Sequence, residues 1–162
     1  MRISFAVGVT LSLFPFSTSL GAAEPFAPAG SAKIAVYTVC RSLSLIDMEK
    51  AGSQSSADCV GIVKNRDGGK VFDNLAIHCL EESTARATGY KFNGTCVETD
   101  ADADKIFMTY EGPESGPLSI IGGSGKYAGI EGSGAWSVTD APGNTSAQFL
   151  FTLEYSVDWR QK

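Results

Sequence analysis

Histidine is the side chain best suited to acid–base chemistry near neutral pH, and the chain contains one, His78. A histidine base usually works with a nucleophile, either in a Ser–His–Asp set or beside a nucleophile elbow, and the sequence shows neither pattern. We therefore interpret His78 as a strand residue at a sheet surface or in a satisfied core position. The sequence alone assigns no catalytic residue.

Acidic side chains occur in two patterned groups, Glu81-Glu82 and the alternating Asp100, Asp102 and Asp104. Successive strand residues point to opposite faces, so Glu81 and Glu82 cannot share a proton as a catalytic dyad would. The aspartates could suggest calcium, but they lack the glycine and terminal glutamate of an EF-hand loop. A solvated hairpin tip is favoured, and we predict no metal site and no cofactor.

Four cysteines, at positions 40, 59, 79 and 96, are separated by 19, 20 and 17 residues. None of these spacings is the Cys-x-x-Cys of a zinc site or a redox motif. An even number of cysteines in an exported protein indicates two disulfides, for which three connectivities exist.

The first residues of the chain predict export. Arg2 supplies a positive start, Ile3–Phe16 is apolar, and Gly21 and Ala23 are the small residues that a signal peptidase reads. The apolar run is shorter than the roughly 20 residues of a membrane anchor. We expect a signal peptide over 1–23, a flexible leader over 24–33 and a β-barrel domain over 34–159, in a secreted or periplasmic protein.

The charge of the chain excludes one class of partner. The formal net charge is −5, and it becomes −6 once Arg2 leaves with the signal peptide. No cluster of Lys or Arg is present to neutralise phosphates, so a nucleic-acid partner is not expected. No later apolar run is long enough for a membrane span in the mature chain.

The remaining sequence has the pattern of strands and turns. Clusters of Gly, Pro, Asn and Asp separate short runs rich in Val, Ile, Thr, Tyr and Phe, and no segment has a sustained helical period. The last run is the clearest, because apolar and polar residues alternate strictly along it. Eight strands are predicted, at Ile34–Ile46, Ser56–Lys64, Lys70–Leu80, Ala87–Glu98, Lys105–Glu111, Leu118–Ile121, Gly132–Thr139 and Ala147–Trp159.

Eight regular short strands favour an all-β fold, an eight-stranded antiparallel closed β-barrel. Such a barrel has an interior that side chains fill or that holds one small ligand. Cys40 and Cys59 would oppose each other on adjacent strands, as would Cys79 and Cys96. These positions favour the disulfides Cys40–Cys59 and Cys79–Cys96, with the other two pairings left open.

The segment from Gly122 to Gly134 has six glycines in thirteen residues. A phosphate-binding loop would need a helix start and a Lys-Ser or Lys-Thr pair, but Lys126 is followed by Tyr127 and a strand pattern. The glycines are therefore expected to bend the sheet at a barrel corner, with Tyr127 and Ile130 plugging the barrel end.

This segment contains Gly-Gly-Ser-Gly-x-aromatic-x-Gly, and with the final strand Phe149–Tyr155 it resembles the allene oxide cyclase and dirigent barrel superfamily. The hairpin Asp100–Ile106 is similar to that of small exported bacterial proteins with this fold. The resemblance covers roughly Asp100–Trp159 and lies in a fold motif. It implies an eight-stranded antiparallel barrel with an apolar cavity, in a family whose members often oligomerise and act on, or guide, small hydrophobic molecules.

One departure from the family limits what this resemblance implies. Plant allene oxide cyclases place a catalytic Glu, with an Asn close by, on the first strand, whereas this chain has neither within Tyr37–Leu43. Cyclase activity on a fatty-acid epoxide is therefore not carried over. The pocket Asp and Arg residues of dirigent proteins have no clear counterpart here.

The functional hypothesis is a secreted β-barrel that binds or steers a small hydrophobic molecule. Its enzymatic version is a cyclase or isomerase in which cavity shape contributes more than acid–base chemistry. The alternative is a non-catalytic secreted protein with a filled barrel and a protein-interaction surface, and a homo-oligomer is left open. The candidate ligand-binding residues are the aromatics of the apolar faces, Tyr110, Trp136, Phe149, Phe151 and Tyr155.

Overall fold

The computed structural model describes residues 26–144 and 148–162, so the expected signal peptide over 1–23 lies outside the described residues. Eight strands follow one another along the chain. They are β1 (Ala29–Asp47), β2 (Ser53–Asn65), β3 (Leu75–Arg86), β4 (Gly89–Thr99), β5 (Lys105–Gly112), β6 (Ser115–Gly123), β7 (Ile130–Asn144) and β8 (Gln148–Gln161).

The strands form one sheet that closes on itself. Each strand pairs antiparallel with the next, and β1 also pairs with β8, from Ala29 opposite Arg160 to Arg41 opposite Gln148. This closure leaves no unpaired sheet edge. The prediction of an all-β, eight-stranded antiparallel closed barrel is confirmed.

The alternation in β8 shows why these residues form a barrel wall. Tyr155, Val157 and Trp159 are buried, while Ser156 and Asp158 between them are exposed. Period-two alternation places every second side chain inside the barrel. Burying such a side chain contributes about 1.5–3 kcal/mol, so the inward apolar rows are the main driving force for closure.

The predicted bounds are least accurate at the third strand. It was expected over Lys70–Leu80 and is found over Leu75–Arg86. Its last residues, Glu81–Arg86, are mostly polar, and two of them, Glu81 and Ser83, line the cavity at the open end of the barrel. The first strand begins at Ala29, inside the segment 24–33 that the sequence assigns to a leader.

One end of the barrel is sealed by aromatic rings. Phe26 packs edge-on against Tyr127 with ring centroids 4.9 Å apart, and Phe72 packs against Trp159 at 4.9 Å. Tyr127 and Ile130 are both buried at this end, as predicted. We call it the sealed end, and the opposite end the mouth.

The glycine-rich segment bends the sheet between β6 and β7. A single 3₁₀ turn, Gly125–Tyr127, connects the two strands. Gly125 has φ of 59°, and a Cβ there would overlap the carboxylate of Asp104, so only glycine fits. The expected barrel corner is therefore present.

Helical structure in the described ranges is limited to that turn and a second 3₁₀ turn, Glu49–Ala51, between β1 and β2. Over the same residues, no helix has the length and apolar character that a membrane crossing requires.

The four cysteines lie at one level of the wall, on β1 to β4. Cys40 is opposite Cys59, Cys59 is opposite Cys79, and Cys79 is opposite Cys96. The disulfides are Cys40–Cys59 and Cys79–Cys96, which confirms the favoured pairing. They link four consecutive strands in two pairs, inside the barrel.

Candidate functional site

A cavity of about 610 Å³ opens at the mouth, where β1, β3, β5 and β7 end. Its size is within the range of pockets that bind small molecules. Six aromatic side chains line it: Tyr90, Phe92, Tyr110, Trp136, Phe149 and Phe151. The mouth cavity therefore combines an apolar wall with an opening to solvent.

The aromatic rings pack into a connected wall across the barrel. Trp136 of β7 lies 5.0 Å from Tyr110 of β5 and 6.4 Å from Phe92 of β4, between ring centroids, in edge-on arrangements. Phe149 and Phe151 of β8 stack at 6.1 Å. Because β4 and β8 are four strands apart in an eight-stranded ring, aromatic surface lies on opposite sides of the cavity.

Trp136 is held in a fixed orientation. Its indole Nε1 donates a hydrogen bond of 3.1 Å to the backbone oxygen of Glu111, and only 4% of the residue is exposed. Buried tryptophans usually find such a partner for the N–H group. The ring is thus positioned before any ligand arrives.

A carboxyl group and a phenol meet at the floor of the mouth cavity. The Tyr110 hydroxyl donates a hydrogen bond to Oε1 of Glu81, which is 5% exposed. Glu81 lies on β3 and Tyr110 on β5, and Gly94 of β4 lies opposite both of them in the sheet. An added Cβ at Gly94 would overlap the Tyr110 ring, so the missing side chain lets the phenol reach across a strand.

The environment of this pair favours its protonated forms. Burial raises the pKa of Glu81 above its usual range, and the hydrogen bond from Tyr110 partly opposes the rise. Burial, together with the nearby Glu81 charge, raises the pKa of Tyr110 as well. A carboxyl group with a raised pKa beside an apolar cavity is suited to donate a proton or a hydrogen bond to a bound molecule.

A second pair of the same kind lies toward the sealed end. The Tyr155 hydroxyl donates a 2.7 Å hydrogen bond to Oε1 of Glu98, while Oε2 of Glu98 is buried without a partner. Burial raises the pKa of Glu98 to about 7, against a smaller lowering by the Tyr155 hydrogen bond. Glu98 is 1% exposed and does not line the mouth cavity.

A void of about 20 Å³ separates the two pairs. Glu81 and Tyr110 line it from the mouth side, and Tyr155 lines it from the sealed side. The void has room for a single water molecule. A site for a small ligand is therefore confined to the half of the barrel near the mouth. Below it, side chains fill the interior except for this void.

The predicted ligand-binding residues separate into two places. Tyr110, Trp136, Phe149 and Phe151 line the mouth cavity together. Tyr155 lies deeper: Leu153 still lines the mouth cavity, and Tyr155 follows it by two residues on β8. The Tyr155 hydroxyl donates its hydrogen bond to Glu98.

The sequence analysis missed Glu81 as a member of this site. It considered Glu81 only as a partner of Glu82, and the structure does place the two on opposite faces, with Glu81 buried and Glu82 exposed. The available signal was the spacing from Cys79: residues two apart on a strand share a face, and cysteine is among the residues most often buried. Tyr90 and Phe92 of β4 also line the cavity and were not predicted, because the sequence alone did not show which face of β4 points inward.

The other candidates from the sequence lie away from the cavity. His78 is exposed on the outer wall, with its Nε2 2.6 Å from Oδ1 of Asp58. The Asp100 carboxylate accepts hydrogen bonds from the backbone of Asp102 and Asp104, at 2.9 and 3.0 Å, and pairs with Lys126 at 2.6 Å. The aspartate run thus holds its own turn in shape.

Among the described residues, one group has the spacing of metal ligands: Cys40, Cys59 and Glu81. The two sulfurs are bonded to each other as a disulfide, so neither is the thiolate that binds a metal. The arrangement as it stands offers a single carboxylate, which is too few ligands for a metal centre.

A larger depression of about 730 Å³ lies on the outer wall over β1 to β6. It reaches Glu81 and Tyr110 past Gly94, but Tyr110 is its only aromatic lining residue. Its other side chains include Glu82 and Asn93, which are polar and exposed. The mouth cavity is the better candidate because it carries the aromatic surface that an apolar ligand needs.

Comparison with known proteins identifies the class of fold. No protein-family model and no curated protein sequence matches the chain. Among solved structures, the pterocarpan synthase dirigent protein PsPTS1 superimposes with a TM-score of 0.55 at 9% identity, covering 84% of this chain and 98% of that one. The pterocarpan synthase dirigent protein GePTS1 gives a TM-score of 0.52 at 9% identity, covering 85% and 88%. The chain therefore has a dirigent-like barrel fold.

Proposed function

We propose that the barrel binds a small hydrophobic molecule in its mouth cavity and steers that molecule into one conformation. The observation that carries the proposal is the 610 Å³ cavity with aromatic surface on opposite sides and one buried carboxyl group at its floor. The dirigent-like fold supports it, because two neighbours with this fold are described as pterocarpan synthase dirigent proteins.

Native mass spectrometry of the protein purified from its own host tests the proposal. The expected spectrum contains a small molecule bound to the barrel. Phe151→Ser removes part of the aromatic lining and should abolish that signal. Val60→Ser is the matched control: it removes an apolar side chain from the outer wall and should retain the molecule. Loss of the molecule from both variants, or its absence from the wild type, would contradict binding in the cavity.

The enzymatic version of the proposal assigns proton donation to Glu81. In an isomerisation inside this barrel, the acid would lie on β3, since β1 carries no acid within Tyr37–Leu43. The apolar walls would exclude water and hold one substrate conformer. If Glu81 transfers a proton, Glu81→Gln should hold an isomer of the wild-type molecule, with equal mass and a different chromatographic retention. The same isomer in both proteins would leave steering without catalysis.

A second candidate function has its own supporting observation. The outer wall of β8, β1 and β2 exposes a contiguous apolar face, the outer face: Tyr37, Val39, Val60, Ile62 and Leu150. In the sheet, Val39 lies opposite both Val60 and Leu150, and Tyr37 opposite Ile62. Contiguous exposed apolar surface is typical of interaction sites. In this version the outer face contacts another protein or a second copy of the chain.

Sedimentation analysis separates the two candidates. If the outer face mediates self-association, the Val60→Lys variant should sediment as a smaller species than the wild type does. Its ligand retention should be unchanged. A wild type that sediments as a monomer at every concentration would count against a homo-oligomer.

We also propose that the chain is exported, with a signal peptide over 1–23 and a short leader before the barrel. The two disulfides support an oxidising compartment, secreted or periplasmic. Mass analysis of the mature protein tests this: the expected first residue is Glu24. A mature protein that retains Met1 would overturn the signal peptide.

A further inference from the structure

The mouth cavity has one sign of charge. Its acidic lining side chains are Glu81 at the floor, whose protonated form burial favours, and Glu114 and Asp140 at the opening, which are exposed to solvent. Among the described residues that line it, none is Lys, Arg or His. A bound molecule therefore meets acidic groups at both depths and no base to neutralise an anion.

Two basic side chains near the mouth, Arg86 and Lys91, are engaged elsewhere. Lys91 pairs with Glu111 at 2.8 Å on the outer wall. Arg86 donates hydrogen bonds to the backbone oxygens of Ser53 and Ala85, at 3.2 and 3.1 Å. Neither of these two bases offsets the acidic groups of the cavity.

The aromatic surface has the same preference. The faces of Trp, Tyr and Phe carry negative electrostatic potential and attract cations, with Trp the strongest. Trp136, Phe92 and Tyr110 form one connected wall, and Phe149 and Phe151 lie on β8 across the barrel. A cation inside the cavity would meet ring faces and carboxylates together, whereas a carboxylate ligand would meet repulsion from both.

We propose that the molecule bound by this cavity is an apolar organic cation, an amine attached to a hydrophobic body. This inference rests on the proposed function, since it requires that the mouth cavity binds a ligand. The hydrophobic body would lie between the aromatic walls, and the ammonium group would lie toward Glu114 and Asp140, with Glu81 available below. The acidic cavity disfavours the fatty-acid class of ligand.

Three probes with a shared phenylbutyl body test the charge preference: 4-phenylbutylamine, 4-phenylbutanol and 4-phenylbutanoate. Isothermal titration calorimetry at neutral pH measures the three affinities on the full mature chain. The amine should bind roughly tenfold more tightly than the alcohol, through cation–aromatic and charge contacts, and the carboxylate should bind most weakly.

Variants at the opening locate the effect. The double variant Glu114→Gln/Asp140→Asn should bring the amine to the affinity of the alcohol and leave the alcohol unchanged. Both positions are exposed, so the fold is expected to remain intact. Glu82→Gln, which removes an acid from the outer wall beside Glu81, is the matched control and should leave the amine preference intact.

The outcomes separate this inference from the proposed function. Alcohol binding equal to or tighter than amine binding in the wild type overturns the cation and leaves cavity binding standing. A preference for the carboxylate overturns the cation in the same way. Failure of all three probes to bind at millimolar concentration overturns both the cation and the cavity.

Discussion

The barrel contains the same small motif twice, with different results. Cys79-Leu80-Glu81 on β3 and Cys96-Val97-Glu98 on β4 place a glutamate two residues after a cysteine of the shared disulfide. Each glutamate accepts a hydrogen bond from a tyrosine hydroxyl. The strands are antiparallel, so one glutamate points along the barrel to the mouth and the other to the sealed end.

The comparison shows that strand direction decides what a buried acid can do. Glu81 lines an open cavity, so a ligand can reach its carboxyl group. Glu98 is 1% exposed, accepts a hydrogen bond from Tyr155 and does not line the mouth cavity, so a ligand there does not reach its carboxyl group. The first is therefore a candidate for binding and chemistry, and the second makes stability depend on pH.

The largest expected effect is the pH dependence of stability that comes from the Glu98–Tyr155 pair. Because burial raises the pKa of Glu98 from 4.5 to about 7, the folded protein keeps a proton that the unfolded chain releases. The stability contributed by the protonated group is complete below pH 4.5 and is lost as pH rises to about 7. The loss is about 3 kcal/mol in the free energy of unfolding.

Urea unfolding of the wild type and Glu98→Gln across this pH range measures that effect. The amide does not titrate, so the difference in unfolding free energy between the two proteins should change by the stated amount and level off above pH 7. A constant difference from pH 4.5 to 7 would mean that Glu98 titrates normally.

The next largest effect is expected from a substitution on β4, the strand that lies between Glu81 and Tyr110. Gly94→Ala places a methyl group against the Tyr110 ring and should cost about 2 kcal/mol as overpacking. The Tyr110–Glu81 hydrogen bond should be lost, and both effects are measurable by urea unfolding and by the Tyr110 hydroxyl NMR signal. Thr95→Ala, at the next residue of β4, changes an exposed side chain of the outer wall; it is the control and should have a stability close to that of the wild type.

Matched phenol removals sharpen the comparison further. Each tyrosine hydrogen bond lowers the pKa of its glutamate, so Tyr110→Phe should raise the pKa of Glu81 and Tyr155→Phe that of Glu98. Each variant should lose about 1 kcal/mol of stability. Carbon-13 NMR of the glutamate carboxyl groups follows both titrations, and a pKa that falls in either variant would contradict the assigned hydrogen bond.

The smallest effect is expected at Glu82, and it tests whether the neighbouring acids Glu81 and Glu82 respond differently to the same substitution. Glu82→Gln changes an exposed side chain on the outer wall and should alter the unfolding free energy by less than about 0.5 kcal/mol. Glu81→Gln should alter both stability and ligand retention. Equal effects of the two substitutions, by urea unfolding and native mass spectrometry, would mean that the wall does not separate these residues.

Much of the fold could be predicted because it depends on local patterns. The alternation from Phe149 to Trp159 predicts β8, and the turn between the first two strands sets Cys40 opposite Cys59. The end of β3 could not be predicted in this way. Its residues from Glu81 to Arg86 are mostly polar, although Glu81 and Ser83 line the cavity, and a polar run in a sequence is also typical of a turn.

The site was predicted in part for the same reason. Aromatic residues on inward faces identify Trp136 and Phe149 without knowledge of the neighbouring strands. The Glu81–Tyr110 contact joins residues 29 positions apart through a gap at Gly94, so it depends on barrel register and on a missing side chain. The position of Tyr155 below the cavity likewise could not be predicted, because it depends on how far along the barrel axis side chains fill the interior.

The two disulfides have a consequence for how the wall can deform. Both lie within β1 to β4, so one half of the circumference is covalently braced and the other half is held by hydrogen bonds and packing alone. The pairing of β7 with β8 in that unbraced half shifts register twice, between Val138 and Gly143. Deformation of the wall is therefore less restricted in the half that carries Trp136 and Phe149 than in the half that the disulfides link.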